Sequence, residues 1–246
     1  MKFFYKLTYG IICLVYSRVL TILENSFLRR NFKTKISLEN DGFLKITSKS
    51  KLNISKQSFD YILNEMSFFS NNYQKKFILS PENLTSTIKL IFNKQFCNYL
   101  TSITGFKYSI DFFGAYQNLH IPEEHIDKPW YANHFHFDKP NSKNMLKIFI
   151  PLSDISKNDG PLELIDLNQK KRYLVGGKGD VFLCKLNACL HKAGVPKHSN
   201  KTNLIMIQLN PSKKWYLSLN LYQRQFKREP KFTSFTNIFV RRMLLN

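Results

Sequence analysis

The sequence predicts a mainly β protein with helices, an α+β chain in which a helical N-terminal part is followed by a β-sandwich or barrel. Residues 1–105 carry helix signals, whereas short apolar runs separated by turn sequences follow from Lys107 onward. A chain of 246 residues is long enough for one sizeable core. We therefore expect a single domain over 1–246, divided into a mostly helical part (1–105), a β core (106–212) and a basic C-terminal extension (213–246).

The clearest helix signals lie in two segments of the N-terminal part. The segment "SKQSFDYILNEMSFFSNNY" (55–73) begins with Ser55 as an N-cap and repeats its apolar residues at helical spacing. The segment "SPENLTSTIKLIFNKQFCNYLTSITG" (80–105) begins with Ser80 as the cap and Pro81 at the first helical position, and Gly105 ends it. Each segment predicts one helix.

The β core is predicted from a series of short strands that follow these helices. The strands are expected at 107–121, 145–152, 171–175, 180–185 and 203–209. Between them, "SKNDGPL" (156–162) has the chemistry of a turn, with Gly and Pro together. The last stretch, "TSFTNIFVRRMLLN" (233–246), predicts a helix packed on the barrel.

The composition limits the classes of partner and of compartment. The formal net charge of +20 favours contact with anions, but the basic residues are scattered without a run of five, so we expect no specific nucleic-acid partner. No two cysteines form a C-x-x-C pair, which argues against a zinc knuckle. Reduced thiols and a cytoplasmic location are therefore expected. The cysteines are Cys13, Cys97, Cys184 and Cys189.

The N-terminal stretch "MKFFYKLTYGIICLVYSRVLTILE" is apolar enough to require comparison with a membrane anchor. Arg18 interrupts it and leaves about 11 residues from Leu7 to Ser17, fewer than the roughly 20 that a spanning helix needs. A core-packed or interfacial amphipathic helix is the prediction. Because Arg29 and Arg30 follow, weak peripheral attachment to a membrane stays open as an alternative.

The stretch "NHFHFDKP" (133–140) carries the chemically most specific pattern. His134, His136 and Asp138 alternate, so they share one face if this segment is extended. A histidine and a carboxylate two residues apart can bind one metal together, and His191 in "LHKAG" is the candidate third ligand. Two imidazoles and one carboxylate leave coordination positions open, which suits iron(II) in oxygenases better than a closed zinc site. Taken alone, H-x-D is a weak signal.

The sequence around these residues resembles the phytanoyl-CoA dioxygenase family over about residues 107–210. The matching stretches are "HFHFDKPNSKNMLKIFIPLSDISKNDGPLELI" and "GGKGDVFLCKLNACLHKAGVP", and their pieces come in the family's order. The resemblance implies a double-stranded β-helix (jelly-roll, cupin-like) core with Fe(II) and the cosubstrate 2-oxoglutarate. It also implies that His136, Asp138 and His191 are the iron ligands, and it leaves His134 as their neighbour.

One departure from the family concerns the cosubstrate. The family has a basic residue, usually Arg, roughly ten residues after the last histidine, and "KHSNKTNLIM" contains no Arg. Lys201 is the nearest basic residue, and Asn203 is the other candidate for that position. Lys147 would meet the cosubstrate or an acidic substrate if its face of the strand points inward. Asn118 and Asn133 are candidates for hydrogen bonds to the keto acid.

The resemblance therefore implies a 2-oxoglutarate-dependent dioxygenase that uses O₂ to hydroxylate a small organic substrate. Asp138 favours hydroxylation over halogenation, because related halogenases carry a small residue at that position. The positive charge favours an anionic substrate. The alternative is a metal-binding jelly-roll protein without cosubstrate turnover, associated with an anionic surface, and the missing Arg supports it.

Overall fold

The computed structural model describes residues 2–29, 37–47, 67–138, 141–218, 221 and 243–244. Within these ranges the helices are α1 (Lys2–Phe27), α2 (Ser37–Asp41), α3 (Pro81–Ile91) and α4 (Lys94–Thr104). The strands are β1 (Phe43–Ile46), β2 (Ser67–Asn71), β3 (Gln74–Ile78), β4 (Lys107–Asn118), β5 (Leu146–Pro151), β6 (Glu163–Ile165), β7 (Lys171–Tyr173), β8 (Val181–Cys184), β9 (Leu190–Lys192), β10 (Thr202–Ser212), β11 (Tyr216–Leu217) and β12 (Met243–Leu244).

The strands build two sheets, as expected for a jelly-roll. In the described ranges the larger sheet has the order β1-β8-β5-β10-β4-β11-β12, and the β2–β3 hairpin joins it through β3 beside β4. The smaller sheet has the order β7-β6-β9. The pairings are antiparallel except between β11 and β4. The predicted fold class, a mainly β chain with helices around a double-stranded β-helix core, is confirmed.

The central strands of the larger sheet are covered on both faces. On β5, Ile148 belongs to the core cluster that also contains Ile88 of α3 and Leu100 of α4. Its neighbour Phe149 belongs to a second cluster, which lies between the two sheets and includes Leu164 of β6. Because successive side chains of a strand point to opposite faces, burial on both sides explains why these strands read as nearly continuous apolar runs.

The segment 80–105 forms two helices where one was predicted. The prediction was wrong about its middle, because α3 ends at Ile91 and α4 begins at Lys94. Between them Asn93 has an extended backbone, and its side chain accepts a hydrogen bond from the N–H of Phe96 at 3.0 Å. Asn competes for backbone donors in this way and favours caps over helix interiors. The predicted ends, with Ser80 as cap and Gly105 as stop, are confirmed.

The helix predicted over 55–73 is wrong for the residues that the structure describes. Residues 67–71 form β2, which turns through Asn72 and Tyr73 into β3. The range 55–66 lies outside the described residues. β3 pairs with β4, so an aromatic stretch that could have continued a helix instead joins the hairpin that extends the sheet. The N-terminal part thus supplies strands as well as helices.

The two ends of the chain are described in part. α1 forms as predicted, and the described residues contain no helix with the length and apolarity required to cross a membrane. The helix predicted over 233–246 is wrong at Met243 and Leu244, which form β12 beside β11. The rest of that segment lies outside the described residues. All four cysteines are buried free thiols.

Candidate metal centre

Backbone pairing brings the two motif histidines together. His136 and His191 form an isolated antiparallel bridge: the N–H of His136 donates to the carbonyl of His191 at 2.9 Å, and the reverse bond measures 3.0 Å. Their ring centroids are 4.3 Å apart. His191 is the central residue of β9, so the smaller sheet supports one partner, while His136 belongs to the irregular segment that follows β4. This register joins residues that are 55 positions apart in the sequence.

Each imidazole is oriented by its own backbone. The Nδ1–H of His136 donates to the carbonyl of His134 at 2.8 Å, and the Nδ1–H of His191 donates to the carbonyl of Cys189 at 3.1 Å. A carbonyl oxygen can only accept, so this pattern assigns the proton of both rings to Nδ1. Nε2 of each ring is then left with a lone pair, as in metal-ligating histidines.

Asp138 completes the group from the same segment. Its Oδ1 lies 3.9 Å from Nε2 of His136, and its Oδ2 lies 3.8 Å from Nε2 of His191. The backbone N–H of Asp138 donates to the carbonyl of Leu186 at 3.2 Å, which attaches this segment to the residues just before β9. Of the residues that the structure describes, His136, Asp138 and His191 form the group whose ligand atoms all lie within 4.8 Å of one another.

The Asp138 carboxylate has an unsatisfied oxygen. Nζ of Lys147 lies 2.7 Å from Oδ2 as an ion pair, but the contact lacks hydrogen-bond geometry, and this buried oxygen accepts no hydrogen bond from the described residues. Lys147 is thus the charged partner of this oxygen, and the carboxylate keeps lone pairs that can bind a metal ion. Two imidazole nitrogens and a carboxylate oxygen fit a divalent metal with open coordination positions.

The protonation state of His191 agrees with such a role. Burial lowers its pKa to about 4, and the nearby Asp138 carboxylate offsets only part of this effect. The ring is therefore neutral at pH 7, the form that binds metals without first losing a proton.

The three side chains line a cavity of about 370 Å³ between the two sheets. Its apolar wall includes Phe149 of β5, Leu162, and both Leu204 and Met206 of β10. Such a volume lies in the usual range for small-molecule sites. A metal held here would have protein ligands on one side and the open volume of the cavity on the other.

Two of the candidate cosubstrate residues also line this cavity. Lys147 points inward from β5, with 12% of its side chain exposed, so the inward alternative for this strand face is the one that the structure adopts. Asn118, at the end of β4, is buried, and its Oδ1 accepts a hydrogen bond from Nε2 of Gln74 at 2.8 Å.

The structure does not bring the other two candidates to the cavity. Lys201 is exposed in the turn before β10, and it is not among the lining residues. Asn133 is buried, but its amide group is used within its own loop, where it accepts from the N–H of Trp130 and donates to the carbonyls of Ile126 and Lys128. Asn203 points away from the cavity and contacts Gln117 and Ser153 instead.

His134 does not share a face with the other two residues of its motif. Its side chain is exposed, and its carbonyl oxygen is the acceptor that orients His136. The segment bends at this residue, so the strict alternation expected of an extended strand is lost there. His134 is therefore a structural neighbour of the site through its backbone.

Sequence reasoning missed several residues that line the cavity: Gln74, Lys76, Tyr116, Trp130 and Tyr131. A signal existed for Tyr116, because it lies two residues before Asn118 on the same face of β4. No sequence signal indicated Gln74 and Lys76, because they belong to a strand that follows residues with helical spacing. Trp130 and Tyr131 lie in an irregular loop, where no periodicity indicates direction.

Comparison with known proteins gives a structural likeness only. No protein-family model matches the sequence, and no curated protein matches it. An oxidoreductase of the 2OG-Fe(II) oxygenase family from Burkholderia pseudomallei superposes with a TM-score of 0.57 at 9% identity, over 76% of this chain and 95% of that chain.

Two further structures show the same likeness. The non-haem α-ketoglutarate-dependent epimerase SnoN, from nogalamycin biosynthesis, has a TM-score of 0.52 at 11% identity, over 71% of this chain and 80% of its own. Iron-bound HygX from Streptomyces hygroscopicus has a TM-score of 0.51 at 12% identity, over 75% of this chain and 89% of that chain. At such low identity the likeness shows a shared jelly-roll fold. It does not single out the phytanoyl-CoA dioxygenase family among the enzymes that use this fold.

Proposed function

We propose that this protein is an Fe(II)- and 2-oxoglutarate-dependent dioxygenase in which His136, Asp138 and His191 hold the iron. The observation that carries the proposal is the convergence of two Nδ1-protonated imidazoles and a carboxylate, whose ligand atoms all lie within 4.8 Å of one another. The likeness to jelly-roll proteins whose structures contain iron, or nickel and 2-oxoglutarate, supports the same assignment. The narrower resemblance to the phytanoyl-CoA dioxygenase family remains part of this proposal.

The protein's contribution is to position the reactants and to exclude water. Three ligands on one side leave open positions for a chelating keto acid and O₂. When bound, the metal would supply the oxidative decarboxylation of 2-oxoglutarate to succinate and CO₂, coupled to oxidation of a substrate C–H bond. One oxygen atom of O₂ enters succinate and the other enters the hydroxylated product. The apolar wall of Phe149, Leu204 and Met206 reduces the contact of the reacting centre with water on one side, while the His136 side chain stays 38% exposed.

For the cosubstrate, we propose that Lys147 takes the place of the missing Arg. It is an ammonium inside the cavity, 2.7 Å from a carboxylate that a bound metal would partly neutralise. A keto acid entering the site would then offer Lys147 a second carboxylate. Lys binds such a group as a point charge, without the two-pronged geometry of Arg. Asn118, with its oxygen engaged by Gln74, can offer amide N–H groups to the same ligand.

For the reaction outcome, we propose hydroxylation of a small anionic organic substrate. The resemblance to the phytanoyl-CoA dioxygenase family implies oxygen transfer here, because related halogenases carry a small residue where this chain has Asp138. Lys76 also lines the cavity and is exposed, so it can meet an anionic group at the entrance. Buried free thiols are compatible with the reducing cytoplasm that we propose for the protein.

The competing proposal is a metal-binding jelly-roll protein without turnover. The missing Arg favours it, whereas a cavity of about 370 Å³ with an inward ammonium favours a bound cosubstrate. The two proposals differ in one measurable property, the binding of 2-oxoglutarate to the iron-loaded protein.

The test is anaerobic titration of the protein with Fe(II) and then with 2-oxoglutarate, followed by the visible metal-to-ligand charge-transfer band. The dioxygenase proposal expects this band in the wild type and its loss in His136→Ala and His191→Ala. His134→Ala is the matched control, because it removes an exposed imidazole two residues from His136, and it should keep the band. A wild type that binds iron but shows no band with 2-oxoglutarate would support the competing proposal.

The role of Lys147 is tested separately with two keto acids. In the iron-loaded protein we compare 2-oxoglutarate with 2-oxobutanoate, which lacks the distal carboxylate. Lys147→Met should lower the affinity for 2-oxoglutarate roughly tenfold or more, and it should leave the affinity for 2-oxobutanoate nearly unchanged. Equal weakening of both ligands would instead indicate that Lys147 acts on Asp138 or on the carboxylate next to the metal. Lys201→Met is the control, and it should change neither affinity.

A further inference from the structure

The N-terminal helix α1 has its apolar face turned to solvent. Nine large apolar side chains between Ile11 and Phe27 are each 47–74% exposed, including Ile12 at 63% and Ile22 at 64%. In α4, by contrast, the apolar residues Phe96, Leu100 and Ile103 are buried. An exposed apolar surface of this extent on a folded protein marks an interaction site.

The opposite face of α1 holds the helix on the protein, and it does so through polar contacts. The Ser17 hydroxyl donates to the carbonyl of Asn141 at 2.6 Å. The Thr21 hydroxyl oxygen accepts from the N–H of Lys143 at 2.9 Å. The Glu24 carboxylate accepts from the Asn144 amide at 3.0 Å. The orientation of α1, with its apolar residues outward, is therefore fixed by hydrogen bonds.

The width of the exposed face argues against a partner helix. At about 100° per residue, the side chains from Ile11 to Phe27 spread over about 220° of the helix circumference. A helix-to-helix seam needs only a narrow stripe, whereas the exposed face is more than half of the circumference. Arg18 is exposed within this arc, where its long side chain can reach a polar boundary while its stem stays in an apolar layer. A medium that surrounds the helix fits this face better than one more helix does.

The charge of the molecule identifies that medium. A net charge of +20 repels a second copy and attracts an anionic surface. The hydrogen bonds of Ser17, Thr21 and Glu24 hold this helix along the protein, so its outer face fits an orientation parallel to the membrane surface. We propose that α1 binds the surface of a membrane that contains anionic lipids, with the face from Ile11 to Phe27 buried among the lipids.

This inference does not depend on the dioxygenase proposal, but the two sites are physically connected. Residues 141–144, which hold α1, belong to the segment between Asp138 and β5, the strand that carries Lys147.

The experiment is flotation of the full chain with vesicles of phosphatidylcholine, either alone or mixed with phosphatidylglycerol. The wild type should float with the mixed vesicles, more weakly with the neutral ones, and less at high salt. The triple variant Ile12→Gln, Val15→Gln, Val19→Gln removes apolar surface at exposed positions without changing charge. Its affinity for the mixed vesicles should be at least roughly tenfold lower than that of the wild type. Tyr16→Trp adds a local probe, whose emission should shift to the blue on mixed vesicles.

A matched control tests whether vesicle binding depends on α1 or on exposed apolar residues elsewhere on the surface. Leu90→Gln, Ile126→Gln, Leu167→Gln changes three apolar residues that are 40–42% exposed outside α1, and it should bind like the wild type. Thermal unfolding by circular dichroism and iron binding establish that both triple variants are folded. No flotation of the wild type, or equal flotation of the α1 variant, overturns the proposal. So does dimerisation in lipid-free solution that the α1 variant abolishes, because it assigns the face to a second copy.

Discussion

Two carboxylates of this molecule, Asp138 beside the cavity and Asp166 in the turn between β6 and β7, lie in opposite settings. The Asp166 side chain is fully buried, and it accepts hydrogen bonds from the N–H groups of Asn168 at 2.9 Å and Lys170 at 2.8 Å and from Nε of Arg172 at 2.8 Å. Asp138 is 15% exposed and has one ion-paired cation, yet its Oδ2 accepts no hydrogen bond from the described residues.

The donors around each carboxylate distinguish a structural acid from a candidate metal ligand. A buried charge is costly unless donors surround it, and Asp166 has these donors from its own turn. Asp138 has no such set of hydrogen-bond donors, and its charge is balanced by the ion pair with Lys147. Its neighbours, two imidazoles with Nε2 lone pairs, cannot donate to it and can only share a cation with it.

The largest expected effect is the loss of iron binding when Asp138 is neutralised. Asp138→Asn should weaken Fe(II) binding at least ~100-fold, because an amide oxygen replaces the only charged ligand.

The double variant Asp138→Asn, Lys147→Met tests the ion pair itself. The unfolding free energy of its metal-free form should lie within about 1 kcal/mol of the wild-type value, since neutral groups then replace the buried ion pair. Equilibrium dialysis and denaturant unfolding measure the two quantities. Tight iron binding by the double variant would break the contrast.

The corresponding change at the other carboxylate should affect stability and leave iron binding intact. Asp166→Asn should lower the free energy of unfolding by about 2–3 kcal/mol, because its amide group cannot accept from all three donors. Urea unfolding measures this loss, and the charge-transfer band with 2-oxoglutarate reports the site. If the band disappears in a variant that is still folded, the two carboxylates are coupled and the distinction between them fails.

The unfolding free energy should depend on pH through the ionisation of the Asp166 carboxylate. Burial alone would raise the pKa of this group, but the hydrogen bonds from Lys170, Arg172 and Asn168 outweigh it, so the pKa lies below the ordinary value. The unfolded chain then binds the proton first. The stability contributed by Asp166 is fully present above the unfolded pKa of about 3.9 and is lost as the pH falls through the folded value.

Melting curves of the wild type and Asp166→Asn at a series of pH values test this linkage. The difference in melting temperature should be constant near neutral pH and should shrink below about pH 4. Other acids titrate in both proteins, so the difference isolates Asp166. A difference that is independent of pH down to the acid unfolding of both proteins would contradict the assigned pKa direction.

The smallest expected effect is the loss of the half-exposed partner of Asp166. Arg172→Met should cost about 1 kcal/mol of unfolding free energy, because the carboxylate keeps its two backbone donors and the lost ion pair is 41% exposed on the Arg side. It should leave iron and 2-oxoglutarate binding unchanged. Chemical denaturation resolves a loss of this size. A loss as large as that of Asp166→Asn would mean that the two backbone bonds contribute little.

Local patterns were sufficient for much of the fold and for the metal motif. Ser80, Pro81 and Gly105 mark helix ends through the backbone geometry of their own turns, so their signal does not depend on the rest of the chain. The strand runs at 145–152 and 203–209 are apolar because both faces are covered. H-x-D with L-H-x-A-G identified three side chains that the structure brings within 4.8 Å of one another.

The errors have a common physical cause, which is competition with partners distant in sequence. Residues 67–71 carry helical spacing and also aromatic residues suited to a strand, and pairing of their hairpin with β4 decides between the two. Asn93 could have continued a helix, but its side chain caps the next one. The prediction of Lys201 rests on its sequence distance from His191, and the structure places this residue exposed and outside the cavity lining.

Residue type and short spacing were enough for the helix caps, the strand-forming runs and the positive charge, whereas the three candidate ligands followed from the resemblance of their motifs to the phytanoyl-CoA dioxygenase family. Tertiary contacts set the inward direction of Lys147, the exposure of His134, the contact of Asn118 with Gln74 and the exposure of the apolar face of α1. These properties depend on strand register and packing across the fold, and such long-range contacts leave no periodic signal in the chain.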